Sequence, residues 1–279
     1  MIKIIIKIAT TFIILFLALM SLMSCEDVVD IDLETSEPKL VVDASLKWQK
    51  GTLGNEQTIK LSTTTGFYEN AIPIVTGATV FITNGNNDVF NFVEIPNSGE
   101  YFCSNFNPEI NQTYTLTVIV NGETYTASET LFAVPTINTV EQDNEGGFTG
   151  DEIEVKFFYD DDPNANNFYL IQFNTSISLL PEYDVISDEF FQGNEMFGLY
   201  TNEDLETGNE VTFTLHGISE TYYNYMNILL GVAATNGGSP FQTPPATVRG
   251  NIINQTNFEN YALGYFRLSE IDSMQYVIQ

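Results

Sequence analysis

His216 is the only histidine in the chain, so any imidazole chemistry would have to run through it. Zinc sites and nucleophile–base triads need several partners at defined spacing, and the residues near His216 do not supply them. A structural role at the end of a strand pattern is therefore expected. Cys25 and Cys103 are the only two cysteines. No basic residue or histidine stands near Cys103 to lower its pKa, so it reads as a small buried apolar side chain rather than a reactive thiol. With 37 Asp and Glu residues, some carboxylate pair must come close in any fold. A glycosidase pair depends on its separation, which sequence does not carry. No G-x-S-x-G, phosphate-binding loop or dinucleotide fingerprint occurs. The expectation is no catalytic residue, no metal and no cofactor, with a hydrolase as the remote alternative.

One stretch imitates a metal loop. In residues 160–167, Asp160, Asp162, Asn164 and Asn166 alternate as oxygen donors, as the early ligands of a calcium loop do. The sixth place, however, is Ala165 rather than the turn glycine, and the twelfth is Ile171 rather than the bidentate Glu. Asp, Asn and Pro are turn formers, so a polar turn with at most weak calcium binding is expected.

Cys25 is the one residue to which the sequence assigns definite chemistry. Residues 1–24 have the parts of an export signal: Lys3 and Lys7 supply positive charge, and residues 8–20 form an apolar run too short to span a bilayer. Leu22-Met23-Ser24-Cys25 resembles the bacterial lipobox, in which cleavage leaves an invariant cysteine that receives diacylglycerol. The thioether-linked lipid and an N-terminal acyl chain would together anchor the chain to a bilayer stably, at about 0.8 kcal/mol per buried CH₂. Glu26 and Asp27 follow, then Asp30, Asp32 and Glu34. This acidic patch resembles the signal that sends Bacteroidetes lipoproteins to the cell surface, and residues 25–37 read as an acidic tether.

Beyond the leader, the chain keeps 7 of its 9 basic residues and all 37 acidic ones, a net charge of −30. Such a surface repels DNA and RNA, so nucleic-acid binding is excluded as a function class. At 43% hydrophobic content the chain has enough apolar material for a core.

The elements that must position any site are mainly strands. Residues 40–46, 57–62, 79–83, 89–93, 113–120 and 123–128 are β-rich or alternate, and the turns Asn84-Gly85-Asn86-Asn87 and Asn121-Gly122 tolerate positive φ. Val134-Pro135-Thr136 marks a boundary, after which residues 153–159, 168–173, 211–215 and 262–268 again read as strands. The expected fold is all-β, with two sandwich-like domains over 38–135 and 136–279. A single short helix near 219–230 has Ser219 as N-cap, Tyr222, Met226 and Leu229 as its buried stripe, and Gly231 as its end. Residues 234–245, rich in Asn, Gly, Ser and Pro, read as a surface loop and a candidate contact.

Val75-Thr76-Gly77-Ala78-Thr79-Val80 and Ser98-Gly99-Glu100-Tyr101 resemble carboxypeptidase-regulatory, or transthyretin-like, sandwiches. The whole layout resembles a Bacteroidetes lipoprotein family of unknown function, domain of unknown function four-two-four-nine. The matching pieces are residues 25–33, Pro38-Lys39-Leu40-Val41-Val42, the tyrosines Tyr222, Tyr223 and Tyr225, Gly238-Ser239-Pro240-Phe241 with Pro244-Pro245, Asn251-Ile252, and Leu263-Gly264-Tyr265-Phe266. Members of that family are commonly encoded beside TonB-dependent outer-membrane receptors. The resemblance therefore implies a lipid-anchored, surface-exposed accessory or substrate-capture partner of such a transporter. A structural or adhesive surface protein is the alternative.

Overall fold

Alternating apolar and polar side chains make most of the body strand. The computed structural model describes residues 37–66, 69, 71–235 and 248–279, together with Ile6 and Phe12. The lipobox with Cys25, the acidic stretch through Glu34 and residues 236–245 of the Asn/Gly/Pro loop lie outside the described residues. Residues 38–279 group as one compact unit. Among the described residues, no helix is long and apolar enough to cross a membrane.

The first half supplies β1 (Leu40–Gln49), β2 (Gln57–Thr63), β3 (Thr79–Asn84), β4 (Val89–Glu94), β5 (Glu100–Cys103), β6 (Thr113–Val120) and β7 (Glu123–Thr130). The second half supplies β8 (Ile137–Gly146), β9 (Glu152–Asp160), β10 (Phe168–Thr175), β11 (Glu182–Ser187), β12 (Glu195–Thr201) and β13 (Glu210–Ile218). Helix α1 (Glu220–Thr235) and strands β14 (Ile253–Asn254) and β15 (Leu263–Val277) complete it.

Twelve strands form one continuous ribbon, ordered β11-β10-β13-β15-β1-β2-β5-β4-β3-β6-β7-β14, and a separate sheet is ordered β12-β9-β8. The ribbon folds over where β4 and β5 share only two residue pairs. Val42, Ala44 and Leu61 from one layer then meet Ile82, Leu116 and Val118 from the other, all essentially fully buried. The second core lies between β10, β13 and the end of β15 on one side and the three-stranded sheet on the other. Phe157, Tyr159, Tyr169 and Phe213 dominate it. Each such side chain contributes about 1.5–3 kcal/mol through burial. Both halves are thus sandwich-like, and the protein is mainly β with one helix.

β15 serves both cores. Leu263 to Ile271 pair with β1, and Ile271 to Val277 pair with β13. Its Phe266 and Leu268 enter the first core, and its Met274 and Tyr276 pack on the second. The β1–β15 pairing is parallel, whereas the other strand pairings are antiparallel. A first strand and a last strand laid side by side leave no hairpin to read. Gly264 sits at this seam with φ +94°, where a Cβ would strike the Val42 carbonyl. Glycine is required there on both counts.

Asn121 and Gly122 both adopt positive φ in the β6–β7 hairpin, as their types require. At the β3–β4 turn, Asn84 Oδ1 accepts the N–H groups of Asn86 and Asp88. Helix α1 is longer than expected and does not end at Gly231. Gly231 stands inside the helix, at a cost of about 1 kcal/mol relative to alanine. Ser219 caps the helix, accepting from Tyr222 N at 3.1 Å. Tyr222 and Met226 are buried as expected, while Leu229 is exposed. Tyr265 fills the space between helix and sheet, with ring centroids 4.7 Å from both Tyr222 and Tyr225.

Candidate functional site

The expected single-residue candidates occupy structural positions. His216 lies inside β13, fully buried. Its Nδ1 faces Arg267 Nη1 at 3.3 Å, and because a guanidinium only donates, Nδ1 accepts and Nε2 carries the proton. Burial first, and then the Arg267 charge, hold its pKa well below the ordinary value. Cys103 is a free, buried thiol, and burial raises its pKa, as suits an inert core side chain.

The turn between β9 and β10 does not gather its alternating oxygens. Asp160 accepts from Asn138 Nδ2 at 2.9 Å, while Asp162 accepts from Asn164 N and Nδ2. Both aspartates are exposed, as are Asn164 and Asn166. The residue between them, Asp161, is the one that turns inward, at 5% exposure. Its Oδ1 accepts from the Tyr169 hydroxyl at 2.7 Å and its Oδ2 from Gly193 N at 3.0 Å.

Gly193 belongs to the connection between β11 and β12, residues 188–194. Asp188 opens that connection and is 2% exposed. It accepts from Asn167 N at 2.8 Å and its own N–H donates to the Asn167 carbonyl at 3.2 Å. Burial, then the nearby Asp161 charge, push its carboxyl above the usual range against the pull of the Asn167 N–H. The connection is braced internally by Phe191 N to Asp188 O at 2.6 Å and Asn194 N to Phe191 O at 2.8 Å. A pair of buried aspartates thus ties the β9–β10 turn to the β11–β12 connection.

Two hollows flank this connection. A polar one of about 400 Å³ is lined by Asp188, Glu189, Gln192, Glu220 and Tyr223. An apolar groove of about 220 Å³ lies between β11 and β12, lined by Ile186, Phe191, Met196, Phe197 and Leu199 with Asp184 and Glu195 at its margin. Strands β11 and β12 are the outer strands of their sheets, so among the described residues each has an edge with no strand beside it. Phe190 is 83% exposed, and Phe191, Phe197 and Leu199 stand about half exposed. Lys156 covers part of the Phe197 ring at 5.6 Å. The arrangement offers shape, apolar area and free strand edges, which suit binding.

Asp161, Asp188 and the aromatic rim escaped the sequence reading. Asp161 was hidden inside a three-aspartate run whose alternation points to its neighbours. The adjacent aromatics Phe190-Phe191, in an otherwise polar stretch, were the available signal for the rim.

Among solved structures, a two-domain fibronectin type-III segment from chicken tenascin aligns at 11% identity and TM-score 0.21, covering 66% of this chain and 92% of that one. A DUF4785 family protein from Legionella pneumophila aligns at 12% identity and TM-score 0.26, covering 66% of this chain and 53% of that one. The FN1–FN3 domains of chicken CNTN1 align at 14% identity and TM-score 0.24, covering 64% and 58%. No curated protein matches the chain. A family profile described as "Domain of unknown function (DUF4249)" matches residues 26–275 of the 279. The chain therefore belongs to the DUF4249 family.

Proposed function

We propose that this protein is a lipid-anchored, surface-exposed outer-membrane lipoprotein whose body docks on a TonB-dependent receptor, as an accessory or substrate-capture partner. The observation that carries the docking half is the exposed rim of Phe191, Phe197 and Leu199 around the β11–β12 groove. In a chain of net charge −28, a contiguous cluster of large apolar side chains beside free strand edges is costly to leave in water. Its coverage by a partner explains it. The anchor half rests on the lipobox at Cys25, and the receptor class rests on the family resemblance. Confinement to a membrane raises the effective concentration of any membrane partner, so a modest interface suffices.

The test is affinity purification of the full-length lipoprotein from native membranes in mild detergent. Wild type is expected to bring down a β-barrel receptor in near-stoichiometric yield. A Phe191→Ser/Phe197→Ser double variant is expected to lose most of that yield with little change in its thermal melt. A lipoprotein that purifies alone from cells expressing the receptor overturns the transporter reading and favours the adhesive one.

A further inference from the structure

The buried aspartate pair carries an inference that does not depend on the docking reading. Asp161 and Asp188 are 5% and 2% exposed, and besides each other's carboxyl group their hydrogen-bond partners are a tyrosine hydroxyl and two backbone N–H groups. None of these partners carries a positive charge. Burying two carboxylates together without a counter-charge is strongly unfavourable. The surroundings add a second, independent feature. Tyr159 is fully buried, and its hydroxyl has no hydrogen-bond partner. Burial first, and then the charges of Asp161, Asp184 and Asp188, raise the pKa of that hydroxyl. The Tyr159 ring meets that of Tyr169, the residue bonded to Asp161, at 5.3 Å between centroids. Asn167, whose backbone binds Asp188, also has a buried side-chain oxygen without a partner.

We propose that Asp161 and Asp188 bind a divalent cation of the calcium type, with the Asn167 side-chain oxygen and the Tyr159 hydroxyl in its oxygen shell. The donors are all hard oxygens, the class that calcium selects over nitrogen or sulfur. Two carboxylates match the charge of one divalent ion. Among the described residues no group of three or more His, Cys, Asp or Glu side chains is gathered around a point. The site is therefore low in ligand charge, which places its dissociation constant on the order of 10⁻⁴–10⁻³ M, the range of extracellular modules. A bound ion would brace both ends of the 188–194 connection through Asp188 and the Asp161–Gly193 bond. The consequence for Phe191, which that connection carries, rests on the docking reading; the site itself does not.

Thermal melts of the full-length protein in mild detergent, with about 5 mM calcium against a chelator, test the site. Wild type is expected to gain about 2–9 °C with calcium. Asp188→Asn, which keeps an acceptor for Asn167 N and removes one charge, is expected to gain nothing and to melt at or above wild type in chelator. As a second readout, terbium luminescence excited through the neighbouring tyrosines should appear in wild type and be competed by calcium. If Asp188→Asn does not fold, Tyr159→Phe decides: the calcium midpoint should rise at least threefold. A wild-type melt unmoved by calcium, a full calcium shift retained in Asp188→Asn, or an unchanged midpoint in Tyr159→Phe overturns the proposal. The first of these results would instead mark the pair as two carboxyl groups sharing a proton.

Discussion

Ser219 donates its hydroxyl to the Glu129 carboxylate at 2.9 Å, joining the start of α1 to the end of β7 across 90 positions of sequence. The same hydroxyl oxygen accepts from Tyr222 N and caps the helix. Glu129 is buried, and its remaining partners are Thr130 N at 2.9 Å and the Tyr265 hydroxyl at 3.4 Å. Ser219→Ala therefore removes a cap and one of the bonds that satisfy a buried carboxylate. The expected cost is about 1–3 kcal/mol in chemical denaturation. A loss below about 0.5 kcal/mol would mean that neither role matters to stability.

His216 gives a pH prediction with a clean control, because no other histidine titrates. Burial and Arg267 keep it neutral in the folded protein to well below the ordinary pKa. The unfolded chain protonates it near pH 6.5, so below that pH the unfolded state binds more protons. Stability is expected to fall as pH drops from about 6.5 toward the folded pKa, by at most about 1.4 kcal/mol per pH unit. His216→Gln should lose that component of the slope. Identical slopes for wild type and variant between pH 6.5 and 5 would contradict the assignment of a buried neutral imidazole.

Much of this was legible in sequence, for particular reasons. β1, β6 and β7 alternate cleanly because each has one face on the core and the other toward solvent. Ser219 could be recognised as a cap because a serine stands directly ahead of the Tyr222 and Met226 stripe. β8 was not legible: its outward run of Thr, Glu, Gln, Asp and Asn buries little beyond its two ends. β11 and β12 were missed because β11 buries none of its side chains fully, and β12 exposes Phe197 and Leu199 on one face while burying Met196 and Tyr200 on the other, which erases the alternation. The parallel β1–β15 seam joins strands more than 200 residues apart, and no local signal announces such a pairing. Asp161 and Asp188 come together only because β9, β10 and β11 bring two separate connections side by side.

Cys25 lies outside the described residues, and its role rests on the lipobox. Cys25→Ala is expected to abolish incorporation of labelled fatty acid and to release the protein from the membrane fraction or leave its leader uncut. Unchanged labelling and membrane retention in that variant would remove the anchor from the account.

The most direct test of docking through the β11–β12 groove is site-specific photo-crosslinking in living cells. A photoreactive phenylalanine derivative would replace Phe197 at the rim in one strain and Asn86, at the exposed β3–β4 turn, in another. The expected result is one dominant adduct from position 197, identified by mass spectrometry as an outer-membrane receptor, with none from position 86. An absence of adduct at 197 while the receptor is expressed, or equal adducts from both positions, would contradict the account.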